Sequence, residues 1–196
     1  MTIEAFLGDP GQGKTYLMTK MAVRKIRLGH RVFANYPLEG ATLYKQYHEI
    51  FEVKRLPGEK RSPIILIDEA SLMFPAGSWQ SIPYEVAANW KQHRHKGVDI
   101  YYTAQDFTEI SKALRNLTQF VNHVKRFWTL ILWSTRHPRT KAKYGGGFTI
   151  FDMAVAKKYD SYADDVEKQD FLKKGFDASV YTGDKQLPLG SGQQRK

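Results

Sequence analysis

Residues 8–15 read Gly8-Asp9-Pro10-Gly11-Gln12-Gly13-Lys14-Thr15 and lie between an apolar run and a stretch of helical spacing. The glycines permit positive φ angles and a close approach, so that several backbone N–H groups can point at one phosphate. In this pattern Lys14 places its ammonium on the β and γ phosphates, and Thr15 offers its hydroxyl to Mg²⁺. The positive end of the following helix adds a favourable field. We therefore predict a phosphate-binding loop for ATP and Mg²⁺, with residues 8–15 and Tyr16 in contact with the nucleotide.

A second stretch, residues 64–69, has the carboxylates that such a loop needs. Its Ile-Ile-Leu-Ile run suits a strand buried on both faces, and Asp68 and Glu69 follow it directly. Because the carboxyl ends of parallel strands share one edge of a sheet, both carboxylates are expected beside the loop. We predict that Asp68 holds Mg²⁺ through water, together with Thr15. Glu69 is then placed to polarise the water that attacks the γ phosphate.

Two further residues are candidates for the same reaction. Gln105 follows an apolar run at 99–104, where its amide would contact the γ phosphate or the attacking water. Arg115 lies on a predicted helix, and we predict that it acts as an arginine finger on the ATP of a neighbouring subunit. The alternatives are an ordinary polar strand end for Gln105, and a solvated charge or salt-bridge partner for Arg115. If Arg115 is not the finger, Arg94 and Arg126 are the next candidates. With Lys14 and Glu69 these residues form the predicted catalytic set.

The rest of the first 124 residues alternates between strand and helix patterns. Strands are predicted at 3–7, 31–34, 64–67, 98–103 and 121–124, and helices at 14–28, 82–96 and 109–117. Such alternation implies a parallel sheet with right-handed crossovers. We therefore predict an α/β fold, a three-layer P-loop NTPase with a mainly parallel central sheet.

The pattern changes after Phe127. Residues 128–134 and 148–151 are β-rich, and the basic stretch between them ends in three glycines. We predict a C-terminal β-hairpin extension over about 128–151, with a long tip at 135–147. The ATPase domain is predicted to end near residue 162, and residues 163–196 form a polar tail that is partly disordered.

The charge of the chain is concentrated in its second half. The formal net charge is +10, and residues 91–143 hold eleven Lys and Arg against three Asp and Glu. This segregation favours a polyanionic partner, and we predict DNA. The absence of cysteine excludes disulfides and thiolate metal sites, and fits an intracellular protein. No apolar run approaches the roughly 20 residues of a membrane span. The predicted DNA contacts lie in the hairpin and are Arg136, Arg139, Lys141 and Lys143.

Four segments together resemble the zonular occludens toxin (Zot) domain: residues 8–15, 66–70, 92–100 and 103–106. That family includes the gene I assembly proteins of filamentous phages, and it is similar to the FtsK and HerA superfamily of DNA-pumping ATPases. The resemblance runs from about residue 2 to residue 162, where Lys158-Tyr159-Asp160-Ser161-Tyr162 resembles the terminal motif. It implies ATP hydrolysis coupled to phage assembly, export or genome translocation, by a homo-oligomeric ring that is typically a hexamer.

The assembly proteins continue through a membrane span to an outer domain, and this sequence stops at Lys196 without either. We therefore expect genome packaging into a capsid slightly more than export during virion assembly. Capsid or membrane assembly proteins are expected partners, in the host cytoplasm at the inner membrane or a capsid vertex. Two alternatives remain, a P-loop kinase of a small molecule and a non-hydrolysing ATP-binding scaffold. The position of Glu69 as a hydrolytic base argues against the kinase.

Overall fold

The computed structural model describes residues 1–77 and 84–159, in which eight strands form one sheet. The strands are β1 Ile3–Leu7, β2 Val32–Ala34, β3 Thr42–Leu43, β4 Ile64–Ile67, β5 Asp99–Ala104, β6 Phe120–Phe127, β7 Leu130–Arg136 and β8 Lys143–Ile150. Their order across the sheet is β3-β2-β4-β5-β1-β6-β7-β8. Strands β1 to β6 pair in parallel, whereas β7 and β8 are antiparallel.

Helices cover both faces of the parallel strands. They are α1 Lys14–Arg27, α2 Ala70–Met73, α3 Tyr84–Lys91, α4 His93–Lys96, α5 Lys112–Leu117 and α6 Met153–Ala156, with 3-10 turns at Tyr47–Ile50 and Phe107–Glu109. On one face Met18 of α1 joins an apolar cluster with Leu66, and on the other Trp90 of α3 joins a cluster with Ile67. Adjacent residues of β4 thus face opposite layers, which is why this strand is apolar throughout. The predicted three-layer α/β fold is confirmed.

Two predicted helices are wrong in detail. The helix predicted at 82–96 is divided at Gln92, where ψ is −3°, far from the helical value of about −42°; residues 82 and 83 lie outside the described residues. The helix predicted at 109–117 begins only at Lys112. Asp106 and Ser111 each cap a turn of their own, by accepting hydrogen bonds from the amides of Thr108 and Leu114. These competing caps separate the 3-10 turn from α5.

The long hairpin tip predicted at 135–147 is also wrong. Strand β8 begins at Lys143, so the tip shortens to residues 137–142, and the glycines lie within the strand. The reason is Trp133 on β7. A Cβ on Gly146 would lie 2.5 Å from the Trp133 carbonyl oxygen, and one on Gly147 would lie 2.7 Å from its indole ring. Glycine is required here by a close neighbour across the strands and not by a turn.

Strands β7 and β8 add to the sheet in antiparallel pairing, and β7 pairs with β6 from Val121–Arg136 to Phe127–Leu130. We call β7, β8 and their tip at 137–142 the extension. The predicted tail at 163–196 and most of the motif at 158–162 lie outside the described residues, and the domain limit at 162 stays a prediction. In the described part of the chain, no helix is both long and apolar enough to cross a membrane.

Candidate functional site

The glycines of residues 8–15 have the backbone that the pattern predicts. Gly8, Gly11 and Gly13 have φ angles of 153°, 76° and 82°. A Cβ on Gly8 would lie 2.5 Å from the Val124 carbonyl oxygen, and one on Gly13 would lie 3.0 Å from the Ile131 side chain. Helix α1 begins directly after Gly13. The loop therefore needs glycine both for its backbone conformation and for its contact with β6 and β7.

The ammonium of Lys14 lies within the loop. Its Nζ donates hydrogen bonds to the carbonyl oxygens of Gly8 at 2.8 Å and Asp9 at 3.0 Å. Burial lowers the pKa of Lys14 below its usual value, while the nearby carboxylates of Asp68 and Glu69 act in the opposite direction. A partly desolvated cation attracts a phosphate more strongly than an exposed one does.

Asp68 is the centre of a network that joins three strands to the loop. Its Oδ1 accepts hydrogen bonds from the hydroxyls of Thr15 at 2.7 Å and Thr103 at 2.6 Å. Its main chain is paired with the side chain of Asn35, which donates to the Asp68 carbonyl oxygen and accepts from the Asp68 amide. Asp68 is only 6% exposed, so these four bonds fix the direction of its carboxylate.

The pair of Thr15 and Asp68 suits Mg²⁺. Magnesium takes oxygen ligands, keeps several waters and commonly uses one or two protein groups beside phosphate oxygens. Because the Thr15 hydroxyl gives its proton to Asp68, its lone pairs remain available to a cation. Within residues 1–77 and 84–159 no cluster of three or more His, Cys, Asp or Glu would hold a metal by itself. The predicted metal ligands are thus brought together at the loop.

Glu69 has a left-handed backbone, with φ 49° and ψ 54°. This conformation is uncommon for residues other than glycine and often occurs at functional sites. The Glu69 amide donates to the Thr103 hydroxyl at 2.8 Å, and that hydroxyl donates in turn to Asp68. The turn leaves the Glu69 side chain exposed while Asp68 is buried. Adjacent carboxylates thus have separate environments, one fixed and one accessible to water.

Gln105 also lies beside the loop. Its carbonyl oxygen accepts a hydrogen bond from the Gly8 amide at 3.3 Å, and its side chain is exposed. It directly follows β5, which lies between β4 and β1 in the sheet. One edge of the sheet therefore carries Lys14, Glu69 and Gln105, as expected for residues that follow three neighbouring parallel strands.

Arg115 lies elsewhere. It is half-buried on α5, and its Nε is buried without a hydrogen-bond partner among the described residues. Its charge acts on Asp106, whose pKa is lowered first by hydrogen bonds from Thr108 and then by Arg115. No ion pair or hydrogen bond among the described residues joins its side chain to the loop. Its action on a neighbouring subunit stays a prediction.

The other predicted nucleotide contacts differ in exposure. Asp9, Pro10 and Gly11 are exposed, and Gln12 is half-buried. The Tyr16 side chain is buried, with its ring stacked 4.7 Å from Phe151 and its hydroxyl accepting from the Asp152 amide at 2.7 Å. Only the main chain of Tyr16 is therefore placed to contact a nucleotide.

The four predicted DNA contacts are exposed and close together in the extension. Arg136 ends β7, Lys143 begins β8, and the other two lie in the tip between them. The tip lies next to Phe107 and His123, and together they line a small cavity. Burial lowers the pKa of His123, and the charges of Arg136 and Lys141 lower it further. The basic tip therefore lies next to the segment that follows Gln105.

Sequence reasoning did not assign a role to Asn35 or Thr103 at this edge, and it considered Arg126 only as a second candidate for the arginine finger. Thr103 lies in the segment 103–106, one of the four that carry the family resemblance, but its contact with Asp68 does not follow from sequence spacing. A hydroxyl with 0% exposure inside an apolar strand is the signal that would have indicated a buried partner. The Arg126 amide donates to Gln12 Oε1 at 2.7 Å, across 114 residues of sequence.

Comparison with known proteins agrees with this fold. The family model described as zonular occludens toxin (Zot) matches residues 44–144. The N-terminal domain of zonular occludens toxin from Neisseria meningitidis is 21% identical, with a TM-score of 0.60 over 81% of this chain and 98% of that one. The genome packaging NTPase B204 from Sulfolobus turreted icosahedral virus 2, in complex with AMPPCP, is 11% identical, with a TM-score of 0.56 over 77% and 98%. No curated protein matches the chain.

Proposed function

This chain belongs to the zonular occludens toxin family, and we propose that it is a Mg-dependent ATPase motor of a phage or virus that translocates viral DNA. The observation that carries the proposal is the network around Asp68. It gathers an ammonium, a hydroxyl, a fixed carboxylate and an exposed carboxylate at one edge of the sheet. Phosphoryl transfer needs little more from a protein than this positioning and charge.

Each residue of the site has a distinct task in hydrolysis. The amides of the loop and Lys14 bind the β and γ phosphates, and Thr15 and Asp68 hold Mg²⁺. When bound, Mg²⁺ neutralises charge on the phosphate oxygens. Glu69 accepts the proton of the attacking water, which Gln105 helps to orient. Thr103 is a positioning residue, because it connects the Asp68 carboxylate with the Glu69 amide.

The basic tip supports DNA as the substrate that is moved. Arg136, Arg139, Lys141 and Lys143 are exposed without a groove-reading helix, so they contact phosphates and give little sequence preference. The Sulfolobus virus protein is named a genome packaging NTPase, which supports a viral role. The work is either packaging into a capsid or export during virion assembly. We place it in the host cytoplasm, as a homo-oligomeric ring with capsid or membrane assembly proteins.

An ATP turnover assay with and without DNA tests the proposal. Lys14→Ala should abolish hydrolysis and weaken ATP binding, because it removes the side-chain cation of the loop. Glu69→Gln should still bind ATP, while hydrolysis falls by about 10²- to 10⁴-fold through loss of the base. Glu52→Gln is the matched control, since Glu52 is also exposed but lies away from this edge.

Hydrolysis by Glu69→Gln at the parental rate would remove Glu69 from the mechanism. The same assay separates the alternatives. With a small-molecule phosphoryl acceptor added, consumption of ATP without release of free phosphate would indicate a kinase. Binding of ATP without any consumption, in the presence or absence of DNA, would indicate a scaffold.

A further inference from the structure

Strand β6 extends past the strand that carries the loop. Strand β1 ends at Leu7, opposite His123, but β6 continues to Phe127. Its last four residues therefore run alongside residues 8–13. The Val124 carbonyl oxygen touches the position where Gly8 lacks a side chain, and the Arg126 amide donates to Gln12. The turn between β6 and β7 consequently stands beside the phosphate loop.

This turn presents two exposed aromatic rings. Trp128 is 85% exposed and Phe127 is 71% exposed, with ring planes only 9° apart and centroids 6.3 Å apart. Trp128 has a φ angle of 56°, a left-handed backbone that large side chains rarely adopt. Because its indole is almost wholly exposed, packing within the described chain does not explain why tryptophan occupies this position.

The side chain of Arg126 holds the turn in place. Its Nε donates to the Trp128 carbonyl oxygen at 2.6 Å, and its guanidinium lies 5.0 Å from the centre of the Phe151 ring. Phe151 stacks in turn on Tyr16, the residue directly after Thr15. A continuous stack therefore connects the base of α1 with the turn that carries Trp128.

The polarity of the site gives the direction in which a nucleotide extends. Strands β4 and β5 lie on one side of β1 in the sheet, and they are directly followed by Asp68, Glu69 and Gln105. The β6–β7 turn lies on the other side. A nucleoside triphosphate with its γ phosphate at the carboxylates must extend its sugar and base away from them, and this direction leads toward Trp128.

We infer that Trp128 is a stacking surface for the base of the bound nucleoside triphosphate, and that Arg126 is the positioning residue that fixes it. The inference rests on the proposed function for the presence of ATP, and adds where its base binds. Stacking accepts any nucleobase, because each has a π face. The site thus favours nucleotides over inorganic polyphosphate without selecting strongly among bases.

The test compares the Mg²⁺-dependent binding of ATP and of inorganic tripolyphosphate to the full chain. Base stacking on an aromatic side chain contributes about 5- to 150-fold in affinity. Trp128→Ala should lose that factor for ATP, with tripolyphosphate affinity unchanged. Trp128→Phe should retain most of the ATP affinity. The matched control is Phe148→Ala on β8, because Phe148 is also 70% exposed but lies away from the turn. ATP, and not tripolyphosphate, should quench the fluorescence of Trp128.

Four results would overturn the inference. If Trp128→Ala binds ATP as tightly as the parent, or loses ATP and tripolyphosphate affinity equally, base stacking is wrong and the proposed function survives. If a thymidine oligonucleotide quenches Trp128 but ATP does not, the base comes from single-stranded DNA. If the parent binds neither ATP nor tripolyphosphate, the proposed function fails as well.

Discussion

The two ends of the sheet are built in different ways. Residues of β4 are almost completely buried, because helices cover the parallel strands on both faces. In the extension, Ile131 is buried toward α1, but Leu132, Phe148 and Ile150 are 43%, 70% and 63% exposed on the other face. A covered parallel sheet holds its strand ends rigidly, as a small ligand requires. A sheet with one open face and a basic tip offers surface to a large partner.

The charges differ in the same way. At the parallel end, Asp68 is buried and its Oδ1 accepts two hydroxyl donors. In the extension, Arg136, Arg139, Lys141 and Lys143 are exposed to solvent. The first arrangement fixes the geometry of a reaction, and the second gives attraction that depends on salt. Nucleotide chemistry and DNA binding should therefore respond separately to mutation.

The largest expected effect tests whether Arg115 of a neighbouring subunit completes the ATP site. We predict that Arg115→Ala lowers ATP turnover by about 10³-fold with binding retained, because an arginine acting across an interface stabilises the transition state. Lys14→Ala protein should also be inactive. Mixing the two inactive proteins should restore activity, because some interfaces then pair an intact loop with an intact Arg115.

The control for this experiment is Arg27→Ala, an exposed arginine at the end of α1 that lies away from the phosphate loop. It should hydrolyse ATP normally and give no gain on mixing with Arg115→Ala beyond dilution. Normal turnover by Arg115→Ala alone, in the assembled and DNA-bound state, would make Arg115 a surface charge. The finger would then have to be sought at Arg94 or Arg126.

An intermediate effect would test the separation of the two ends. Reversing the four basic residues of the tip to Glu should weaken DNA binding by about 10- to 1000-fold and reduce its salt dependence, because about four phosphate contacts are lost. Basal ATP hydrolysis should stay unchanged. The measurement is DNA affinity, for single-stranded and duplex DNA, at several salt concentrations.

A matched control changes the net charge equally at the other end of the sheet. It reverses four exposed basic residues of the parallel end: Lys45, Lys54, Lys60 and Arg61. DNA affinity should change much less in this variant. An equal loss in both variants would show a general effect of charge, and unchanged affinity in the tip variant would exclude the extension as the DNA site.

The smallest effect concerns the stability of the parallel end. Arg31 makes two hydrogen bonds with Glu59, at 2.8 and 2.9 Å, and these and the Leu56 amide lower the pKa of Glu59 to about 2. A lowered carboxyl pKa stabilises the folded state above about pH 4.5, and this contribution is lost as the pH falls toward 2. Glu59→Gln should lower Tm by about 3 °C or less at pH 7, as expected for a surface ion pair.

The same thermal melts should be repeated near pH 2 with Glu52→Gln as control. The Tm difference between the parent and Glu59→Gln should disappear there, since Glu59 becomes protonated in the parent. A difference that persists at pH 2 would mean that the carboxylate charge does not cause it. ATP turnover should be the same in all three proteins at pH 7.

How much the sequence could predict depends on the range of the contacts involved. Lys14 and Thr15 follow Gly13 directly, and Asp68 and Glu69 follow β4 directly, so local pattern was sufficient to place them. Asn35 and Thr103 contact Asp68 only because β2, β4 and β5 are neighbours in the sheet, and strand order is not contained in spacing. Gly146 and Gly147 were misread because a glycine run locally indicates a turn, while their cause is Trp133 on the adjacent strand.

The continuation of β6 past β1 also has a mechanical consequence. Strand β6 borders the phosphate loop and also pairs with β7, the first strand of the extension. The Arg126 amide of β6 donates a hydrogen bond to Gln12 of the loop. A load applied at the tip is therefore transmitted to the loop through a ladder of backbone hydrogen bonds, which is stiff along the strand direction. If DNA binds at the tip and a triphosphate binds at the loop, tension on the DNA would therefore strain the loop through β6.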